Sequence, residues 1–315
     1  MTRPLGPYLV ATLLLTALAL LISVGWGNGR LAWPSDATDW RIVTDIRLPR
    51  TLAALVTGSL LALAGALMQV LLRNPLADPY VLGVSGGSAA FALGGMMLGV
   101  AFVPIEVLAF AGALFSSVLV FVFGQGSGPW STTRMLLTGV VVAAGWGAVI
   151  SLLLALGDDR SLRGMMFWLM GDLSYAQVSV WWLAALLVIV AFLLPRARSL
   201  NVLSAGETQA ALLGEDPRRR YTEIYVVASA LTGLAVSIAG TVGFVGLIVP
   251  HLVRLVVGAD HRRLLPIAAA CGGAFLVLAD ALARNLFSPR QLPVGVLTAL
   301  VGVPLFLILL RRSGK

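Results

Sequence analysis

Side chains that commonly do covalent or metal chemistry are sparse here: one cysteine, Cys271, two histidines, His251 and His261, and a single lysine, Lys315. A Walker A loop needs a lysine to reach the nucleotide phosphates, and with Lys315 as the sole candidate no such loop is expected. His251 and His261 lie ten positions apart, a spacing that does not aim both rings at one metal from one helix face. Cys271 stands alone in an apolar stretch, so neither a disulfide framework nor a thiolate cluster is expected, and a small packing role suits it. These residues predict no catalytic group, no metal site and no cofactor held by this chain. The chain is expected to move something and not to change it.

Movement needs an energy source. Proton-coupled carriers keep ionisable side chains deep in the bilayer as relays. Here the acids Glu106, Asp172, Glu223 and Asp280 fall at or near the ends of apolar stretches, whose centres lack Asp, Glu, Lys, Arg and His. A chain with neither relay nor nucleotide loop is expected to borrow energy from a partner. The alternative is an ion-coupled secondary transporter without an ATPase, with sodium held by backbone carbonyls.

The elements that must position these residues follow from composition. Of 315 residues 59% are hydrophobic and 11% charged, against roughly 25% charged in soluble domains. A helix crosses the bilayer with about 20 mainly apolar residues. Such stretches fall at 8–26, 51–72, 81–100, 105–124, 132–156, 178–194, 221–240, 265–283 and 293–310. The first is read as an uncleaved helix. A further stretch, 245–257, is interrupted by Pro250 and is expected to be a short or re-entrant tenth helix lining protein or a cavity. The fold class is thus all-α, an integral membrane protein of about ten helices, with residues 1–315 forming a single permease domain.

Basic residues accumulate inside. An inside N-terminus places Arg3, Arg73, Arg134, Arg196, Arg198, Arg218, Arg219, Arg220, Arg254, Arg262, Arg263, Arg311, Arg312 and Lys315 there, fourteen against eight outside. Both termini are therefore expected in the cytoplasm. The net charge of +8 then reports topology, and no nucleic acid partner is implied.

Without a hydrophobic drive between helices in lipid, small residues four apart mark close contacts: Ala54, Gly58, Ala62 and Ala66 in one span, Gly139, Ala143, Gly147 and Ser151 in another. Weak similarity between 58–87 and 229–263, each with a proline-bearing break, points to inverted repeats. The longest inner hydrophilic segment, about 195–220, contains a short helix within Asn201–Gly214. Ser204 is expected to cap it, with Glu207 as the capping-box partner, Ala210 inside it and Gly214 ending it. Such a helix either lies on its own bundle or docks a separate protein. Asn74 before Pro75 reads as a turn, and Thr132 or Thr133 as a helix cap.

Four stretches carry a resemblance. RLPRTLAALVTGSLLALAGALMQ with RNPLADPYVLGVSGG, STTRMLLTGV, FWLMGDLS, and AGTVGFVGLIVPHLVRLVVGADHRRLLP with QLPVGVLTALVGVPLF resemble the permeases of type II ABC importers for vitamin B12, haem and iron siderophores, over nearly all of 47–310. That resemblance implies a homodimer in the bacterial inner membrane, two cytoplasmic ABC subunits holding ATP and Mg, and a periplasmic substrate-binding protein. It makes Gly206 and Glu207 part of an ATPase-coupling loop, and Asn74, Leu76, Thr132 and Thr133 a cytoplasmic gate. It makes Arg47, Arg50 and Arg284 the dock for the binding protein. Arg163, on an outward loop, is a possible contact for an anionic substrate group.

Overall fold

A computed structural model describes residues 5–27, 30–31, 33–100, 102–125, 130–174, 176 and 178–313. Arg3 and Lys315, counted in the charge balance, lie outside them. The helices are α1 Leu5–Gly25, α2 Ala37–Ile42, α3 Leu48–Leu71, α4 Val84–Met97, α5 Ile105–Gln125, α6 Thr132–Leu156 and α7 Asp159–Leu169, then α8 Trp181–Leu193, α9 Ala197–Ser204, α10 Glu207–Leu212, α11 Pro217–Ala239, α12 Val245–Val257, α13 His261–Asn285 and α14 Val294–Ser313. Among the described residues eight helical spans are long and apolar enough to cross a membrane, and α4 and α12 are shorter apolar helices. Together they account for the ten expected segments.

Several boundaries differ from expectation. The 81–100 stretch does not begin as one helix: Asp78 accepts the Tyr80 amide at 2.7 Å, a 3-10 turn covers Pro79–Leu82, and Gly83 takes the left-handed conformation (φ +72°) before α4. α12 runs unbroken through Pro250 for 13 residues, about 20 Å at 1.5 Å per residue and short of the roughly 30 Å hydrocarbon layer. The second span continues backwards through a π turn, Val43–Arg47, into α2.

The order of crossings repeats. α1, α3, α4, α5 and α6 make one set of five, α8, α11, α12, α13 and α14 the other, each with its short helix third. Five crossings return the chain on the opposite side, so the second set enters inverted. The two breaks meet: the Tyr80 hydroxyl donates to the Val242 carbonyl and accepts its amide, both at 3.1 Å.

α3 is the axis of the bundle, 94% buried across its most apolar window, against 6% for α6 and 17% for α1 and α8. Its small-residue ridge is what lets neighbours approach. A Cβ on Gly58 would lie 2.2 Å from the Gly272 carbonyl oxygen, and one on Gly65 only 1.7 Å from that of Gly246. Gly65→Ala must therefore push α3 from α12, with an expected loss of about 1–3 kcal/mol. Thermal unfolding in detergent checks this against Gly94→Ala, whose added Cβ meets nothing within 4 Å and which should unfold like the parent.

The second ridge is used over half its length. Gly139 packs against the Val81 carbonyl, whereas an added Cβ on Gly147 meets nothing within 4 Å, and Ser151 is exposed.

Candidate functional site

Functional residues gather at two ends of the bundle. The first end carries α9, α10, the Arg73–Leu76 turn, the start of α6 and the α12–α13 turn. Trp130 stacks on Tyr221 there with ring centroids 5.5 Å apart, which fixes the approach of α6 to α11. α9 is amphipathic, burying Ala197, Leu200 and Leu203, and polar links anchor its surroundings. Ser199 donates to Glu215, Arg220 reaches the same carboxylate at 2.8 Å and Glu223 at 2.9 Å, and Arg196 closes the chain onto Glu223. The Ser199 hydrogen bond, with help from Arg220, holds the Glu215 carboxyl below its ordinary range.

The expected helix at 201–214 is two helices. α9 ends at Ser204, and Gly206, with φ +121°, turns the chain into α10. A side chain at that φ is strained, so glycine is required by the bend. Ser204 does not cap α10: its hydroxyl donates back to the Asn201 carbonyl at 2.7 Å, and no capping box with Glu207 forms. The cap position belongs to Gly206, which has no side chain to offer. Ala210 is fully buried, pinning α10 to α9, while Leu212 and Leu213 are 82% and 71% exposed. Gly214, at φ +83°, ends the segment. Two adjacent leucines offered to water outside the crossing helices were not foreseen from sequence. The signal was there in Ala210-Ala211-Leu212-Leu213, where only one residue can face the bundle.

At the gate positions Asn74 makes the expected turn, its Oδ1 accepting the Leu76 amide at 2.9 Å. α6 is capped by Ser131, whose hydroxyl accepts the Arg134 amide at 3.3 Å, and not by Thr132 or Thr133. Asn74 and Thr133 are exposed, Leu76 and Thr132 half-buried. Among the described residues no hydrogen bond joins the two gate segments within the chain.

The opposite end holds the three arginines expected to form the dock. Arg50 and Arg284 are not free outward charges but flank Asp280, which is fully buried. Arg50 Nε and Nη2 both donate to Asp280 Oδ1, at 3.0 and 2.9 Å, and Arg284 Nε lies 3.0 Å from Oδ2. The remaining Arg50 nitrogen reaches Gln291 at 2.7 Å and Ser174 at 3.1 Å, while Arg284 donates to the Ser23 hydroxyl at 2.6 Å. Burial explains the grouping, because two guanidinium groups stay charged inside a bundle only beside a carboxylate with their other donors satisfied. Asp280 and Arg284 stand four apart on one helix, an ion-pair spacing legible in the sequence. Arg47 remains half-exposed, donating to the Val24 carbonyl at 3.1 Å.

Arg163 sits on α7 and not on an irregular loop; it is exposed and packs over Phe167, 5.7 Å from the ring centroid. Gly83, Ser85 and Gly87 have the Gly-x-Ser-x-Gly spacing of a nucleophile elbow, but a 3-10 turn precedes them where that motif needs a strand.

A bundle of eight long apolar helices and two shorter ones, with a short amphipathic helix and an exposed leucine pair at its arginine-rich end, has the build of a multi-pass membrane permease. The chain belongs to the FecCD transport family, whose pattern matches residues 9–312. It is 46% identical over 304 residues to the cobalamin import system permease BtuC of Halobacterium salinarum, covering 90% of this chain and 80% of that one. It is 40% identical over 294 residues to the hemin transport system permease HmuU of Yersinia pestis, covering 90% and 88%. A metal-chelate type ABC transporter solved in an inward-facing conformation superposes with a TM-score of 0.87 at 32% identity, covering 96% and 98%. The chain is the permease subunit of an ATP-binding cassette importer, in which ATP hydrolysis belongs to separate subunits.

Proposed function

We propose that this permease moves a metal chelate, an iron siderophore, haem or cobalamin, from periplasm to cytoplasm by alternating access. It works in a bacterial inner membrane with both termini in the cytoplasm. The observation that carries the reading is α10, which leaves the bundle at the arginine-rich end with Leu212 and Leu213 bare. An apolar tip on a short helix held by Ala210 suits insertion into a cleft of an ATPase that binds ATP and Mg. Gly206 and Gly214 set its angle, and Ser204 and Glu207 border the bend.

A second copy of the chain, two ABC subunits and a periplasmic binding protein complete the assembly in its lipid. Support for the second copy lies in α6, whose most apolar window is only 6% buried in one chain and whose buried residues are Met135 and Gly139. Two copies would bring two Asn74–Leu76 turns and two Thr132–Thr133 turns around one pathway, which supplies the closure that a single chain lacks. Arg47 is the remaining arginine of the outer three for the binding protein, and Arg163 faces outward for an anionic group on the cargo. Native mass spectrometry of the detergent-purified complex should show two permease and two ATPase chains. A permease that transports as a monomer without ATPase would contradict the assembly.

A further inference from the structure

Asn201, in the second half of α9, spends both ends of its amide on the turn between α12 and α13. Its Nδ2 donates to Asp260 Oδ1 at 2.8 Å, and its Oδ1 accepts the His261 backbone amide at 2.9 Å and lies 2.6 Å from His261 Nδ1. Nδ2 facing a carboxylate fixes the orientation of the amide. Its oxygen can only accept, so the imidazole holds its proton on Nδ1. The ring is fully buried, and Asp260 also caps α13 by accepting the Arg262 amide at 3.1 Å. One side chain thus locks α9 to the first turn of α13.

The polar contacts do not stop there. Arg254, in the last turn of α12, reaches Gln69 Oε1 on α3 at 3.3 Å, and Gln69 Nε2 donates to the Leu247 carbonyl at 3.2 Å. The Gln69 carbonyl accepts the amide of Asn74 at 3.1 Å. These contacts tie α12 and α3 to the turn at the gate, and the chain through the α12–α13 turn connects them to the Asn201 node.

We infer that Asn201 is a positioning residue for coupling: with Asp260 and His261 it makes α9 and the head of α13 move as one body, delivering ATPase-driven displacement of α9–α10 to α12 and α3. The inference rests on α10 being the ATPase dock. Apolar contacts alone would let α9 slide over α13, whereas three hydrogen bonds converging on the part-buried Asn201 amide beside the buried His261 fix one register.

The test uses the full complex with its ATPase subunits and binding protein in proteoliposomes, with radiolabelled cobalamin, haem and ferrichrome offered in parallel. The quantity read is solute carried per ATP hydrolysed. Asn201→Leu and His261→Leu should each lower it by about threefold or more while ATPase stays bound. His261→Asn, whose amide can donate from near the Nδ1 position, should keep it. The double variant Asn201→Leu/His261→Leu should fall no further than the worse single, because both act through one link. An unchanged ratio in the two leucine variants, additive losses, or a His261→Asn as poor as His261→Leu would overturn the inference.

Should the leucine variants not assemble, spin labels at Arg198→Cys and Arg262→Cys in a Cys271→Ala background report on the intact link, since both sites are exposed. Their separation should be the same with and without ATP, and a shift of several ångströms would overturn the inference. Failure of the underlying reading looks different. If α10 is not the dock, the ATPase also stays on a Leu212→Asp/Leu213→Asp variant; if only the link is wrong, that variant sheds its ATPase while Asn201→Leu transports as the parent does.

Discussion

A permease carrying Leu212→Asp and Leu213→Asp is expected to insert and fold like the parent and to lose its ATPase subunits. Both side chains are largely exposed, at 82% and 71%, so their replacement removes no contact inside the bundle and leaves the small core under Ala210 untouched. What it removes is an apolar anchor, and it places two carboxylates in any groove that would desolvate them. Buried anchors at interfaces are worth about 2 kcal/mol or more, a loss of roughly 30-fold in affinity. Binding of purified ATPase to permease in nanodiscs measures this directly. Retained affinity, with transport intact, would mean that the ATPase docks elsewhere.

Asp280→Ala is expected to cost stability on a scale that few single changes reach. The carboxylate is fully buried and pairs with both Arg50 and Arg284, within 3.0 Å of each, offsetting one of their two positive charges. Removing it leaves two guanidinium groups facing one another where the start of α3 meets the end of α13. Breaking a buried pair in this way costs about 3–5 kcal/mol. The same principle predicts rescue, because replacing all three by apolar residues of similar volume, Arg50→Met/Asp280→Leu/Arg284→Met, removes the charges with the partner. Denaturation in detergent should show the single variant strongly destabilised and the triple variant close to the parent. A single variant within about 0.5 kcal/mol of the parent, the ordinary range for a surface change, would show that the cluster is not a buried ion pair in the membrane.

The membrane class and the eight long spans were legible in the sequence because apolar length alone decides them. The glycine ridge of α3 was legible too, since spacing four apart reports a helix face without knowledge of its partner. The bends were not. Gly206 and Gly83 turn the chain through left-handed or extended positive-φ backbone, and a local run such as Asn201–Gly214 looks equally helical with or without such a turn. The caps failed for a related reason: Ser131 and Thr132 are equivalent on paper, and one residue of register decides which hydroxyl meets an amide. Arg50 and Arg284 show the larger limit. Positive charge near a helix end reads as outward until the carboxylate that neutralises it is found, and Asp280 lies 230 residues from Arg50. The Asn201 link has the same character, its partners being 59 and 60 positions away.

The central claim, that this chain is a pathway driven by a separate ATPase and not a self-sufficient carrier, is tested by uptake into proteoliposomes holding permease and ATPase. Cobalamin, haem and a ferric siderophore are each presented with a cognate binding protein. With ATP and Mg inside, one chelate should accumulate, and uptake should stop when ATP is withheld while proton and sodium gradients are kept. Uptake that persists on an ion gradient alone, with no nucleotide present, would contradict the account and establish the secondary transporter in its place.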